Sequence, residues 1–162
     1  MSIDEVVAKR NISSVLHFTT NRGLLGILAT KTLKSRLRLN KDEHLKHIFQ
    51  PNATCRDKDK AWLDYVNLSI SRINMGFFNT SSKSWHSEKN FWWSVLDFSP
   101  KILNHQGVNF TTTNNIYTGV LRKTGHDGLE AMFADRINQW LGKDIIRPRA
   151  LDAKFPTCLQ AE

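Results

Sequence analysis

The strongest constraint on the fold of this 162-residue chain comes from one stretch near its N-terminus, VLHFTTNRGLLGIL. The β-branched and apolar residues from Val15 to Thr19 predict a strand, because such residues suit a pleated, half-buried backbone. Successive side chains of a strand point to opposite faces. We therefore expect His17 and Thr19 on a polar face, and Leu16 and Phe18 on the face that packs against the core.

A helix is predicted immediately after this strand. Asn21 is a suitable N-cap, and apolar residues follow at helical spacing, namely Leu24, Leu25, Ile27 and Leu28. Gly23 and Gly26 would let a neighbour approach closely. A strand that brings His17 and Thr19 beside a helix N-terminus can hold a phosphorylated ligand, since unpaired amides and the helix dipole favour negative charge. The alternative is a core strand with an incidental histidine and a threonine that caps the helix.

The charge balance favours a polyanionic partner. Lys and Arg number 23 against 15 Asp and Glu, which gives a formal net charge of +8 at pH 7. Nucleic acid is the usual partner of such a protein, although a membrane surface or simple solubility also fits. The N-terminus has neither a basic leader region nor an apolar core, and no later apolar run has membrane-spanning length. We expect a cytoplasmic protein with no membrane partner.

Two histidines and a cysteine raise the question of a metal site. His44 and His47 are three residues apart in a predicted short helix over residues 42–49, and Cys55 follows. A fourth ligand and a recognised spacing are missing, so we interpret the histidines as solvated and expect no metal. Cys55 and Cys158 are far apart in sequence and are predicted to be reduced thiols.

The rest of the chain predicts further elements without a linker or repeat between them. Residues 31–40 are interpreted as a basic extended segment, and 50–60 as a polar loop. Strands are predicted at 63–71, 91–98 and 107–113, the second of them central and buried, and a helical turn at 99–103. Asp127 is expected to cap a helix over residues 128–141. Together these elements predict a single α+β domain with a central mixed β-sheet.

One predicted loop, residues 79–90, is rich in serine and contains a tryptophan between basic residues. Trp85 could stack on a nucleic-acid base while Lys83 and Lys89 contact the backbone, because stacking accepts any base. The alternative is a tryptophan that folds back to cover the core. The sequence leaves both interpretations open.

Several segments in the same order resemble the DarT family of DNA ADP-ribosyltransferase toxins. The similar segments are His17-Phe18-Thr19 with Gly26, Asp64-Tyr65-Val66 through Ser69-Ile70-Ser71, Trp93-Ser94-Val95-Leu96 with the turn that follows it, and the terminal Gln160-Ala161-Glu162. The resemblance implies an ADP-ribosyltransferase-like fold over residues 1–162. It also implies transfer of ADP-ribose from NAD to a base in nucleic acid, most often single-stranded DNA.

The resemblance also implies roles for individual residues. His17, Phe18, Thr19 and Gly26 would bind NAD, which is a substrate here, and Glu162 would be the catalytic carboxylate. Departure of nicotinamide leaves positive charge on the ribose, and a carboxylate beside it would stabilise that charge. Arg56 is the best match to the family's functional arginine.

Two departures from the family pattern leave alternatives open. The spacing between Arg56 and the following strand is unusual, so Lys60 or Arg38 could be the functional cation. The family continues through an apolar strand after its glutamate, so we expect this domain to lack its last strand or strands. Glu130 is the internal alternative to Glu162 as the catalytic acid, against a plain position on a helix surface.

Three functions remain open on this sequence. The leading hypothesis is a toxin or phage-defence effector that modifies single-stranded DNA and is controlled by an antitoxin protein. The same fold could instead modify RNA. A catalytically silent nucleic-acid-binding module would need only the basic surface and the aromatic residue of the 79–90 loop.

Overall fold

A computed structural model describes residues 1–47, 50–53, 56–87, 90–140, 142–146 and 160–161. The α-helices are α1 (Ile3–Lys9), α2 (Asn21–Thr30), α3 (Arg36–Lys41), α4 (Met75–Thr80) and α5 (Gly125–Ala131). Two 3₁₀-helices span Asp57–Trp62 and Pro100–Asn104, and a π-helical turn spans Ser81–Trp85. None of the described helices is long and apolar enough to cross a membrane.

Eight short strands complete the described part of the fold. They are β1 (Val15–Thr20), β2 (Ser69–Ile70), β3 (Trp93–Phe98), β4 (Phe110–Thr111), β5 (Arg122–Lys123), β6 (Arg136–Trp140), β7 (Lys143–Ile146) and β8 (Gln160–Ala161). They form sheets of order β2-β1-β3, β5-β4-β8 and β6-β7. β1 pairs antiparallel with β2, and β4 pairs antiparallel with both β5 and β8. The α+β fold class predicted from the sequence is confirmed.

The chain divides into two compact units. The first unit comprises Met1–Leu16, Asn67–Asn74 and Asp97–Glu162, and the second unit comprises His17–Val66 and Met75–Leu96. Each unit draws on segments that are distant in sequence, so neither could be recognised from a linker or a change in composition.

Mostly aliphatic side chains form the described core of the first unit, together with the buried ring of Phe110. Val6 of α1, Leu129 of α5 and Leu103 of the second 3₁₀-helix are almost fully buried, and α1 packs against both of the other elements. α5 lies so close to β5 and β4 that a side chain at Gly128 would overlap the backbone of Lys123. Burial of such side chains is the main stabilising contribution here, because it removes apolar surface from water.

Aromatic side chains dominate the described core of the second unit. Phe18 packs against Phe77 and Phe78 with ring centroids 5.3 Å apart, and against Trp93 at 5.7 Å. His86 lies 5.8 Å from Trp93. The rings meet in tilted or edge-on arrangements, which place the positive edge of one ring near the negative face of another.

The predicted helix over residues 128–141 is wrong beyond Ala131, and α5 begins at Gly125 with Thr124 rather than Asp127 at the N-cap position. α5 ends at Ala131, and Arg136–Trp140 instead forms a β-hairpin with Lys143–Ile146. Gly142 has φ of +76° in the connection, a conformation that glycine adopts without strain. The apolar residues up to Trp140 fit a helical spacing by coincidence. Ile137 belongs to β6, where its side chain is buried.

The basic segment over residues 31–40 is not extended. Its end forms α3, and the Ser35 side chain caps this helix by accepting a hydrogen bond from the Arg38 amide at 3.4 Å. The alternation of leucine and basic residues suggested a strand, but the serine cap and the helix-favouring residues after it decide the local structure.

Other predicted boundaries also change. Only Ser69–Ile70 of the predicted strand 63–71 and Phe110–Thr111 of 107–113 pair as strands, because the neighbouring residues turn away from the ladder. The strand at 91–98 is an edge strand with Val95 exposed, and β1 is central instead. Residues 42–47 form turns rather than a helix, since the Asp42 carboxylate accepts from the His44 and Leu45 amides at 3.0 Å.

The serine-rich segment over residues 79–90 is helical for half its length. α4 runs directly into the π-helical turn at Ser81. Ser81 is fully buried, and its hydroxyl donates to the Asn52 carbonyl oxygen. Buried hydrogen bonds of this kind override the loop preference of the serines.

Candidate functional site

The junction of β1 and α2 is the element that the sequence analysis selected, and the structure confirms a strand followed directly by a helix. Thr20, rather than Asn21, is the N-cap, and its hydroxyl accepts a hydrogen bond from the Gly23 amide at 3.2 Å. Asn21 cannot cap because it is already the first helical residue. Its amide instead donates to the Trp92 carbonyl oxygen at 3.0 Å.

Neither face of β1 is openly polar, which corrects the expected separation of a polar face from a core face. Thr19 is 4% exposed and Phe18 5%, while His17 is half-buried. The Thr19 hydroxyl occupies the space that a side chain at Gly23 would need. Side chains on both faces of β1 are therefore largely buried, and β1 is also the central strand of its sheet.

His17 and Phe18 therefore differ in what they can do. The rings of His17 and Phe18 lie nearly parallel, with centroids 6.5 Å apart, but only Phe18 belongs to the buried aromatic cluster. We interpret Phe18 as fixing the strand, so that its predicted contact with NAD is limited to its backbone. His17 keeps a partly exposed imidazole that can donate or accept a hydrogen bond.

Residues 50–53 are held against β1 and the π-helical turn, which the sequence did not indicate. The Asn52 side chain donates to the Phe18 carbonyl oxygen, and the Asn52 carbonyl accepts from Ser81. The Ala53 carbonyl accepts from Arg36 at 3.1 Å. Residues 50–53, the described start of this predicted polar loop, are therefore fixed by partly buried hydrogen bonds.

His86 completes this network through both of its ring nitrogens. Its Nε2 lies 2.9 Å from the Pro51 carbonyl oxygen, which can only accept, so Nε2 carries the proton. Nδ1 then accepts from the Gln50 side-chain amide at 3.0 Å. With both ring nitrogens engaged and the residue 5% exposed, His86 positions the backbone and has no lone pair for a ligand.

Gly26 is placed against a neighbouring side chain. It is buried, and a side chain built on it would meet Leu45 Cδ2 at 3.5 Å, an ordinary contact distance. In the structure, Gly26 therefore packs close to Leu45. Leu25 and Leu28, which the helical spacing grouped with it, are instead more than half exposed.

The three candidate cations differ in their surroundings. Arg38 is bound to the Asp64 carboxylate through two hydrogen bonds of 2.7 and 3.2 Å, and Lys60 lies 3.4 Å from Asp57 on the surface. The bonds from Arg38 lower the pKa of Asp64. Arg56 is half-buried and directly precedes the first 3₁₀-helix. Arg38 is thus paired with Asp64, and the role of Arg56 as the functional cation stays a prediction.

A cleft of about 460 Å³ lies beside α3 in the second unit. Its charged lining consists of Lys34, Arg38, Lys41, Asp42 and Asp64. Lys34 lies 2.5 Å from the Asp42 carboxylate, and this bond lowers the pKa of Asp42 to about 2. The two carboxylates thus neutralise two of the three cations within the cleft.

The tryptophan predicted to stack on a base is partly used by the protein itself. Trp85 is half-buried and contacts Phe77 edge-on, with centroids 6.0 Å apart. Lys83 is exposed, and Lys89 lies outside the described residues. Trp92, which is 54% exposed, was not identified from the sequence as a candidate. It lies in an apolar run that is typical of a buried strand.

Glu130, the internal alternative acid, is engaged in a charge cluster. Its two carboxylate oxygens accept from Lys9 at 3.0 Å and from Arg10 at 2.7 Å. Partial burial raises its pKa, but the bonds from Arg10 and Lys9 outweigh burial and leave the pKa lowered. Arg10 also lies 4.5 Å above the Phe133 ring. Glu130 is therefore an ion-pair partner of Lys9 and Arg10.

Glu162 itself lies outside the described residues, but the two residues before it do not. Gln160 and Ala161 form β8, which pairs with Thr111 and Phe110 of β4. Among the described residues, no group of three His, Cys, Asp or Glu side chains could hold a metal ion. His44 and His47 are exposed, and Cys55 lies outside the described residues.

Comparison with known proteins gives the family. A comparison with curated proteins finds no match to the chain. The family model described as "DarT: ssDNA thymidine ADP-ribosyltransferase" matches residues 16–162, which include α2, β8 and all of β1 except Val15. Because the match spans nearly the whole sequence, the chain belongs to the DarT family of enzymes, which transfer ADP-ribose from NAD to single-stranded DNA.

Proposed function

We propose that this protein transfers ADP-ribose from NAD to thymidine in single-stranded DNA. The observation that carries the proposal is the family match from β1 to Glu162, since it includes both the histidine strand and the terminal glutamate. The base is taken from the family's description. The net charge of +8 supports a nucleic-acid acceptor.

In the proposed site, His17 and Thr19 bind the nicotinamide ribose and the carboxamide of NAD. His17 offers a partly exposed imidazole on a strand whose backbone is fixed by Asn52. Thr19 lies one residue before the α2 cap, so that the first amides of α2 lie next to it in the chain. Fixed donors near a helix N-terminus suit an anionic dinucleotide. Gly26 contributes through packing of α2.

Glu162 is the proposed catalytic carboxylate. As the C1′–N bond of NAD breaks, the electron pair leaves with nicotinamide, and C1′ becomes positively charged. The carboxylate stabilises that charge, as in glycoside hydrolysis. A ring nitrogen of the base then attacks C1′ and loses its proton, which leaves a neutral glycosylated base. Arg56 orients the phosphates of NAD or assists removal of the proton.

Two glutamate variants test the catalytic assignment. Glu162→Gln removes the charge but keeps the shape, and we expect transfer to an oligonucleotide to fall at least about 100-fold, the usual effect of losing transition-state electrostatics. Glu130→Gln is the matched control and should retain transfer. Equal loss in both, with both proteins folded, would contradict the assignment of Glu162.

The acceptor is tested with matched oligonucleotides. We expect transfer to a single-stranded DNA that contains one thymidine and none to the same strand with that thymidine replaced by deoxycytidine. An RNA strand of corresponding sequence should remain unmodified. Modification of RNA alone would move the proposal to an RNA acceptor. Tight oligonucleotide binding with no transfer by the wild-type chain would indicate a silent binding module.

The cellular role that we propose is that of a toxin or phage-defence effector. Modified thymidine cannot pair normally, so replication would stop in a cell that expresses the active enzyme. An antitoxin protein that binds the enzyme or removes ADP-ribose from DNA is the expected partner. Induced expression should arrest growth, and Glu162→Gln should relieve the arrest. Arrest that persists in this variant would contradict a role through DNA modification.

A further inference from the structure

We propose that Trp92 is a stacking platform for a base of the single-stranded DNA, with Arg22 contacting an adjacent phosphate. The inference rests on the proposed function, which identifies single-stranded DNA as the ligand. Its starting point is that Trp92 is 54% exposed. A single exposed apolar residue needs no explanation by itself, so the case depends on how this one is held.

The backbone around Trp92 is fixed on both sides. The Asn21 amide donates to the Trp92 carbonyl oxygen at 3.0 Å, and the Asn21 side chain donates to the Asn90 carbonyl at 3.3 Å. α2 therefore begins by holding this segment. A rigidly presented aromatic side chain loses little conformational freedom on binding, which favours affinity.

The residues before and after Trp92 are packed, in contrast to Trp92. The Phe91 ring lies 5.5 Å from His86, and Trp93 lies 5.4 Å from Phe78. Three consecutive aromatic residues thus include two that anchor the segment and one that is turned to solvent. Bases stack on such exposed indoles in a way that tolerates any sequence.

A suitable cation lies beside this segment. The exposed Arg22 guanidinium is 5.7 Å from the centroid of the Phe91 ring. Guanidinium groups form paired hydrogen bonds with phosphate oxygens. The second unit, to which both residues belong, has 12 Lys and Arg against 6 Asp and Glu, so it carries +6 of the net +8. A polyanionic strand complements this charge.

The test measures binding of a labelled single-stranded oligothymidylate by fluorescence anisotropy. Trp92→Ala should weaken binding roughly 5- to 100-fold, and Trp92→Phe should lie between it and the wild type. Trp140→Ala is the matched control. Trp140 is 42% exposed in the first unit and already contacts Tyr117, so its loss should leave the affinity unchanged.

Salt dependence separates the two residues. Arg22→Ala should reduce the slope of log Kd against log salt by about 0.7, the value for one lost contact with a single-strand phosphate. Trp92→Ala should weaken binding without changing the slope. If Trp92→Ala does not fold, Trp92→Phe and the quenching of Trp92 fluorescence by oligonucleotide give the same answer.

Wild-type affinity in both Trp92 variants, or quenching that is the same with and without Trp92, would overturn the inference. The proposed function can fail separately. A wild-type chain that binds DNA through Trp92 but transfers no ADP-ribose supports the platform and contradicts the function. If the protein modifies thymidine and Trp92→Ala leaves the KM for DNA unchanged, the proposed function is supported and the stacking platform is contradicted.

Discussion

The two compact units are stabilised in different ways. In the first unit, aliphatic side chains such as Val6, Leu129 and Ile70 are fully buried. The second unit instead has tilted and edge-on aromatic contacts around Phe18 and partly buried hydrogen bonds to the backbone of residues 50–53. It also carries most of the positive charge.

This difference indicates how the fold divides its tasks. An aliphatic core contributes stability but offers no group to a ligand. Aromatic rings and fixed carbonyls hold a strand rigidly while leaving polar groups near the surface, as preorganised binding requires. His17, Thr19, Arg56 and Trp92 all belong to the second unit. Substitutions of the buried aliphatic residues in the first unit should therefore change stability, and substitutions of these four residues in the second unit should change binding.

The largest expected effect is on the free energy of unfolding, from a substitution in the core of the first unit. Leu129→Ala should lower the free energy of unfolding by about 2–5 kcal/mol, because it leaves a cavity at a fully buried site. Leu121→Ala, at a leucine that is 50% exposed in the same unit, should cost less than about 1 kcal/mol. Chemical denaturation followed by circular dichroism measures both. Similar losses in the two variants would contradict the aliphatic core described here.

Two glycines of α2 sharpen the comparison within the second unit. Gly23→Ala should destabilise the protein by about 1–3 kcal/mol, because the new methyl group overlaps the Thr19 hydroxyl. It should also weaken NAD binding, since Thr19 must move. Gly26→Ala meets only an ordinary contact and should be neutral or stabilising by up to about 1 kcal/mol through helix propensity. Thermal melts and calorimetric titration with NAD test the pair. Loss of NAD affinity in Gly26→Ala alone would show that Gly26 contacts the cofactor.

A smaller effect is expected at Glu130. Glu130→Gln should cost about 1 kcal/mol at neutral pH, because it breaks the charge pairs with Lys9 and Arg10. The folded-state pKa of Glu130 is lowered, so its contribution is complete above the unfolded pKa and disappears as pH falls through the folded value. The stability difference between wild type and variant should therefore vanish in acid. A difference independent of pH would contradict the charge cluster.

The smallest effect concerns Asp42 in the cleft beside α3. NMR titration should give Asp42 a pKa of about 2, because Lys34 and the amides of His44 and Leu45 bind its ionised form. Any stabilisation from this carboxylate should decline as pH falls below the unfolded pKa of about 3.9 and should be gone below the folded pKa of about 2. Lys34→Met should return the pKa towards the ordinary value of about 3.9. An unchanged pKa in this variant would rule out the Lys34 bond.

The sequence predicted the parts of the fold that depend on local patterns. The strand at Val15, the helix after it and the helical turn at Pro100 follow from β-branched residues, helical spacing and a proline start. The α+β class and the family followed from the order of such segments. Patterns failed where one spacing fits two structures, as in the hairpin that begins at Arg136.

The site was less predictable than the fold. Asn52 was missed because its contact with the Phe18 carbonyl joins residues 34 positions apart, which no local pattern encodes. Trp92 was missed because exposure cannot be read from an apolar run. Glu130 could not be excluded from the sequence, since its partners Lys9 and Arg10 come from the other end of the chain. The strand pattern beside a helix N-terminus singled out His17 and Thr19, the family resemblance gave NAD as their ligand, and their role remains a prediction.

Mass spectrometry of a single-stranded oligonucleotide with one thymidine, incubated with NAD and this protein, tests the central claim most directly. We predict the addition of one ADP-ribose to the thymidine, with nicotinamide released in equal amount. The addition should be absent with Glu162→Gln and without NAD. An unmodified oligonucleotide after incubation with the folded wild-type chain, or ADP-ribose on a base other than thymidine, would contradict the account.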